Sequence, residues 1–282
     1  MIVHNTDSIY TKFHTDLHGE SLGPGTPRIM ERTFEIAQVI ADKISATFKA
    51  PIELEFEKVM WPFLLFTKKR YACLMWTRYE EPDGIDCKGI QVVRRDNCPI
   101  VREVSKEILD EIMYNRDVPK AQNIAKSVVR DLLEYRIPID KLILSKSLRH
   151  NYKSENVPHK KLAEKMFERD PMNAPKKGDR VPYVFVETGT YTELQYEKVE
   201  DPVYAQEHNL KPDVLYYLEH QLRSPLETLF ELLMDDTAVL FREDTGYDDM
   251  IDVQKKEEKE YKRVQKNKKS GNQEITKFFS RV

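Results

Sequence analysis

Residues 52–75 read IELEFEKVMWPFLLFTKKRYACLM, and the meaning of the remaining chain follows from this stretch. Ile52, Leu54 and Phe56 alternate with Glu53, Glu55 and Glu57, the period-two pattern of a strand with one buried face and one row of carboxylates. A second apolar run follows at residues 63–66, then the basic turn Lys68-Lys69-Arg70, then Tyr71 and more apolar residues. Carboxylates close to clustered cations supply the chemistry that handles metal ions and phosphates. Taken singly, an acidic strand face is usually just solvated and lysines beyond a strand are usually surface, so the flanking sequence has to decide.

The totals narrow the classes. At 282 residues the chain can hold one large domain or two small ones. A third of its residues are charged, no apolar run approaches the ~20 residues needed to cross a bilayer, and the N-terminus has no signal-peptide pattern. An intracellular protein with no membrane partner is expected. Cys73, Cys87 and Cys98 form no CxxC pair, so they support neither a disulfide framework nor a zinc site and read as reduced thiols. The net charge of −3 argues against a generally basic nucleic-acid binder, but residues 255–269 carry eight Lys or Arg against three Glu. Contact with nucleic acid would come from local basic clusters.

Working outward from the central stretch, Leu22-Gly23-Pro24-Gly25 is a turn and Thr26-Pro27 an N-cap with proline at the first helical position. The helix that follows has an apolar face of Phe34, Ala37, Ala41, Ile44 and Phe48, placed to pack under a sheet. Residues 77–88 read as a polar loop around Pro82-Asp83-Gly84. Two helical stripes follow, Ile100/Val104/Ile108/Ile112 and Ile124/Val128/Leu132. Residues 141–148 read as a short strand ending in basic residues, 159–169 as a helix and 177–186 as a turn and strand. Residues 212–222 and 224–234 read as two helices, the second opened by the capping box Ser224-Pro225-Leu226-Glu227. After residue 245 the apolar pattern fades, leaving a charged, helix-compatible stretch and then disorder over 271–282.

Leu54-Glu55-Phe56-Glu57-Lys58 followed by Lys68-Lys69-Arg70-Tyr71-Ala72 resembles the palm of family B DNA polymerases, above all the delta-like enzymes. The run 88–99, KGIQVVRRDNCP, and Gly178-Asp179-Arg180-Val181-Pro182-Tyr183 extend the resemblance in the family's order, over residues 6 to about 234. It implies an α+β fold: the C-terminal part of a palm, a β-sheet with a packed helix, over 6–97. A mostly helical thumb follows over 98–245, and a disordered, charged tail over 246–282. The implied function is that of the C-terminal part of a replicative DNA-directed DNA polymerase acting on primer-template DNA and dNTP with two magnesium ions.

The resemblance also assigns roles. Thr6-Asp7-Ser8-Ile9-Tyr10 is similar to the family's metal-binding motif, which makes Asp7 a catalytic metal ligand. Glu57 lies where relatives approach the metals, with a solvent-facing glutamate as the other reading. Lys68, Lys69, Arg70 and Tyr71 correspond to the grip on the primer terminus, and Arg94, Arg95, Lys146 and Arg149 to contacts with duplex phosphates. The family's other metal-binding Asp, its fingers helix and its exonuclease domain are missing, so an N-terminal remainder is an implied partner and this chain by itself is not expected to polymerise.

Both ends carry a second signal. Val3-His4-Asn5-Thr6 is similar to the end of an intein, with penultimate His4, terminal Asn5 and Thr6 as the next residue; residues 1–5 would then be an intein remnant, the alternative being a diverged motif with Asn5 in place of an Asp. Asn272, Ile275, Phe278 and Phe279 resemble the motif that docks on a sliding clamp of the PCNA type. These features suggest a large DNA virus, acting in the nucleus or at a viral replication site in the host cytoplasm. The rival reading is a non-catalytic module that binds DNA and a sliding clamp.

Overall fold

The computed structural model describes residues 2–5, 8–12, 27–90, 97–188, 194–242 and 245–279. The chain divides into two compact units, one of residues 1–93 with 109–117, the other of residues 94–108 with 118–282.

In the first unit β1 (Ile2–Asn5) and β2 (Ser8–Thr11) form an antiparallel hairpin with Asn5 opposite Ser8. The α1 helix (Pro27–Ser45) begins at the expected proline. A three-stranded antiparallel sheet follows in the order β3 (Val59–Thr67), β4 (Arg70–Trp76), β5 (Gly84–Lys88). The register of β3 on β4 shifts between Met60 and Phe63, around Pro62, which has no N–H to give the ladder. There the Trp76 indole N–H donates to the Trp61 carbonyl at 2.7 Å. The π-helical turn Glu111–Asn115 belongs to this unit and ends on left-handed Arg116, whose guanidinium lies 5.0 Å from the Trp61 ring centre.

Three expectations for this unit need correction. Residues 52–58 form no strand. Leu54 bonds through both its N–H and its carbonyl to the Ser45 hydroxyl, at 2.7 and 3.0 Å, so a side chain rather than a neighbouring strand satisfies this backbone. The alternation survives in part as burial, with Leu54 and Phe56 half-buried and Glu53, Glu55 and Glu57 exposed, but Ile52 is exposed as well. Residues 77–88 are not all loop: Asp83 accepts from the Thr77 N–H and hydroxyl at 2.6 and 2.8 Å, closing a turn that sends residues 84–88 back as β5. On α1, Ala37 and Ala41 are buried, but Ile44 and Phe48 are exposed, and Phe48 lies past the end of the helix.

The second unit is mostly helical around a small antiparallel sheet. It holds the α2 helix (Pro99–Asp110), α3 (Val118–Leu133) and α4 (Pro158–Arg169), with α4 packed on strands in the order β6 (Leu144–Ser147), β7 (Arg180–Phe185), β8 (Val199–Glu200). Of α2, residues 99–108 belong here and residues 109–110 to the first unit. On α3 the buried stripe is Ala121/Ala125/Val129/Leu132, one position round from the expected Ile124/Val128; the small alanines take the closest approach. Arg169 forms two 2.8 Å bonds to the buried Glu200 carboxylate. Burial pushes that carboxyl up, yet these bonds and the Asp201 N–H outweigh burial and hold it below the usual range.

After α5 (Pro202–Glu207), the two expected helices are one run. It starts as α6 (Val214–Tyr217), widens into a π-helical turn at Leu218–Leu222 and continues as α7 (Arg223–Phe230). Ser224 therefore opens nothing, and the cap is Asp213, which accepts from the Tyr216 N–H at 3.0 Å. The wide turn, closed by the Arg223 N–H on the Leu218 carbonyl, comes just before Pro225 and accommodates a ring that would break a regular ladder. Tyr217 is fully buried, its hydroxyl accepting the Phe185 N–H at 3.0 Å. After α8 (Val239–Arg242), the long α9 (Tyr247–Phe279) is tied down by Tyr247, which meets Arg223 at 3.1 Å and also Glu219. The α9 helix runs as far as Phe279, a charged helix braced by pairs such as Glu258–Lys262. Among the described residues no helix is long and apolar enough to cross a membrane.

Candidate nucleic-acid interface

In the first unit the site is built around the two-residue connection from β3 to β4. Thr67 pairs with Arg70, so Lys68 and Lys69 form the tip, both exposed, with Arg70 half-buried behind them. Lys69 has φ 66°, a left-handed conformation that costs a side-chain-bearing residue about 1–2 kcal/mol. Gly89, itself at φ +66°, makes room for it: a Cβ at Gly89 would overlap the Lys69 carbonyl oxygen and lie 2.9 Å from Arg70 Cγ. A glycine is required because the backbone after β5 runs directly under the basic turn.

Tyr71 anchors the other side. Its hydroxyl donates to Asp86 Oδ2 at 3.1 Å across β4 and β5, and its ring contacts Phe63 and Tyr10, with centroids 5.5 and 6.3 Å away. Tyr10 also stacks on Phe63 at 6.2 Å, so the aromatic cluster ties β2 to the β3–β4 hairpin. Burial, with Asp86 and Tyr10 close by, pushes the Tyr71 phenol well above its ordinary value, so it remains a neutral donor. Lys58 lies 3.0 Å from Glu57. That hydrogen bond, against burial and aided by Asp86, raises the Lys58 ammonium above its ordinary value.

Glu57 is 70% exposed. Among the described residues no three His, Cys, Asp or Glu side chains gather as a metal site. Burial pushes Cys73 up to about 12 and Cys87 and Cys98 up to about 11, so all three remain thiols at neutral pH.

The second unit has a basic groove of about 440 Å³ between β6, β7 and the start of α4, lined by Lys146, Arg149, Tyr152, His159 and Arg180 with Ser145 and Ser147. Arg180 is fixed by bonds from Nε and Nη2 to the Ser145 hydroxyl and carbonyl at 3.2 and 3.0 Å.

A turn of cations braced by glycine and tyrosine, and a separate basic groove, are parts suited to a phosphate backbone. The family model described as DNA polymerase family B matches residues 5–233. The chain belongs to DNA polymerase family B. Among family B members, the DNA polymerase delta catalytic subunit of Candida albicans is 44% identical over 239 residues, 84% of this chain and 22% of that protein. The DNA polymerase of Paramecium bursaria Chlorella virus NY2A is 38% identical over 260 residues, 89% of this chain and 28% of that protein. The family B DNA polymerase of the archaeon Pyrobaculum calidifontis shares the fold with TM-score 0.52 at 24% identity, over 76% of this chain and 25% of that one. The chain thus spans 22% and 28% of the length of these two relatives.

Of the residues expected to carry family B chemistry, Lys68, Lys69, Arg70 and Tyr71 come together in the first unit, and Lys146 and Arg149 line the groove of the second. Thr6, Asp7, Arg94 and Arg95 lie outside the described residues. His4 and Asn5 lie on β1. Asn272, Ile275, Phe278 and Phe279 fall on the backbone of α9, and their side chains lie outside the described residues. Asp86, Gly89, His159 and Arg180 also belong to these sites, and the sequence alone did not single them out.

Proposed function

We propose that this chain is the C-terminal palm-and-thumb portion of a replicative, delta-like DNA-directed DNA polymerase, with residues 6–97 as palm, 98–245 as thumb and 246–282 as tail. It acts on primer-template DNA and dNTP together with an N-terminal remainder. The observation that carries this reading is the Lys68-Lys69-Arg70 turn, left-handed at Lys69 and packed closely on Gly89, and flanked by the Tyr71–Asp86 bond. A basic loop held rigid against its own conformational cost suits a grip on a fixed phosphate or base edge. Magnesium, when bound, supplies charge stabilisation for phosphoryl transfer; Asp7 and Glu57 are this chain's candidate ligands, completed by carboxylates outside it. The purified chain should bind primed duplex without extending it, and changing both Lys68 and Lys69 to Ala should lower the salt slope of binding by about one for each phosphate that is no longer neutralised. Unchanged affinity and slope in that variant would sink the assignment.

In this reading residues 1–5 are an intein remnant and Thr6-Asp7-Ser8 completes the metal motif after splicing, supported by His4, Asn5 and Thr6 all agreeing with such a junction. Sequencing the DNA upstream of Met1 should reveal an intein frame preceded by a polymerase half; an upstream region with neither makes Asn5 a true substitution. The spacing of Asn272, Ile275, Phe278 and Phe279 supports docking on a PCNA-like clamp. The viral relative is in keeping with a viral source, and replication places the protein inside the cell, in the nucleus or at a viral replication site.

A further inference from the structure

The groove in the second unit contains a hydrogen-bond chain that the thumb reading leaves unused. The Arg149 N–H donates to the Tyr152 hydroxyl oxygen at 2.7 Å, and that hydroxyl is 3.0 Å from His159 Nε2. The Tyr152 hydroxyl thus bridges the Arg149 main chain and the His159 imidazole. The ring is held in this position: it stacks on Tyr183 from β7 at 6.2 Å and meets Tyr152 edge-on at 5.6 Å.

The charges around it are mostly positive. Lys146 comes from β6, Arg149 from the segment after it, and Arg180 from β7. Lys160, next along α4, lies 5.9 Å from the Tyr152 ring centre. The carboxylates nearby, Glu155 and Glu164, are paired with Lys160 and Lys161. His159 is also the second residue of α4, at the positive end of the helix dipole. Burial first, then Lys146 and Arg149, hold the imidazole below its ordinary value. A phosphate entering the groove would offset those cations, and it would thereby favour the protonated ring. Protonated His159 would in turn add a cation for the phosphate, and linkage makes the two effects equal.

We propose that this groove is a phosphate subsite for the nucleic-acid backbone, in which Tyr152 and His159 are positioning residues that fix the Arg149 main chain, and that filling it is coupled to proton uptake on His159. The proposal rests on the reading of this unit as a duplex-gripping thumb, and adds to it a site with a defined floor and a pH dependence. The shared chemistry is a phosphate anion, whose source could be the DNA backbone or a free nucleotide.

The test is fluorescence anisotropy of labelled primed duplex with the full chain, at constant ionic strength from about pH 8 down to about 5.5, the range in which histidine titrates. Affinity should rise as pH falls, by about tenfold for each unit by which bound phosphate raises the imidazole pKa. His159→Gln should bind more weakly across the range and lose the slope, whereas Arg180→Gln should bind more weakly and keep it. A purely structural histidine would leave the slope intact in His159→Gln, and that result overturns the proposal. A parallel NMR titration of the His159 ring with duplex or with dTTP separates the remaining cases. An upward shift with duplex supports the backbone subsite. A shift with dTTP but not with duplex overturns the backbone assignment and also the thumb reading, while leaving an anion site. No shift with either overturns the site itself.

Discussion

Gly89→Ala should destabilise the first unit by about 3 kcal/mol, the sum of a left-handed backbone penalty and overpacking against a fixed neighbour, and should remove most of the chain's affinity for primed DNA. The neighbour cannot yield cheaply. It is the main-chain oxygen of Lys69, in a two-residue turn whose ends are set by the Thr67–Arg70 pair on one side and the Tyr71–Lys88 pair on the other. Moving that oxygen means moving Lys68 and Lys69 together, so one displacement weakens both stability and DNA grip. Urea denaturation and duplex anisotropy on the same preparation check this, and a Gly89→Ala protein with the wild-type midpoint would show that the turn is slack. Lys69→Gly is the informative companion. It should raise stability by about 1 kcal/mol, because glycine accepts positive φ freely, and still weaken DNA binding. A split of that kind is expected of a residue whose conformation serves a contact rather than the fold.

The turn was legible in the sequence because its signal is local: three cations and a tyrosine sit together between two apolar runs. Its supports were not, since Gly89 and Asp86 meet it from fifteen or more residues away through a strand that the polar residues around Pro82 disguised. The same reason hides the groove, where Arg180 reaches Ser145 across thirty-five positions. Residues 52–57 mark a different limit. Alternation reports which side chains are covered, and it held for Leu54 and Phe56 but not for Ile52, which is exposed; ladder partners are a tertiary fact, and Ser45 took their place. At residues 212–234 the Ser-Pro-Leu-Glu pattern has the chemistry of a helix start, but a buried, continuous helix overrode it by widening one turn. A local cap of this kind contributes about 1 kcal/mol, less than the burial of Leu222, Leu226, Leu229 and Phe230 along one unbroken face.

The cap that is used, Asp213, leads to the other large effect. Its carboxylate accepts from the Tyr216 N–H at 3.0 Å and from Lys198 Nζ at 2.7 Å, and the two side chains are only 11% and 13% exposed. Its main chain is bound too, the Asp213 N–H donating to the Phe185 carbonyl at 3.0 Å, so the carboxylate cannot swing out to water without undoing the start of α6. Lys198→Met should therefore cost about 3–5 kcal/mol, the penalty for leaving a buried charge without its partner rather than the worth of the pair. Asp213→Asn in that background should recover most of the loss, because asparagine caps a helix about as well as aspartate and carries no charge to desolvate. If the loss instead came from missing lysine packing, the second substitution would restore nothing. Thermal denaturation of wild type, both single variants and the double variant closes the cycle. A coupling near zero would mean that water reaches this pair and that the ion pair does not organise the β8–α6 corner of the second unit.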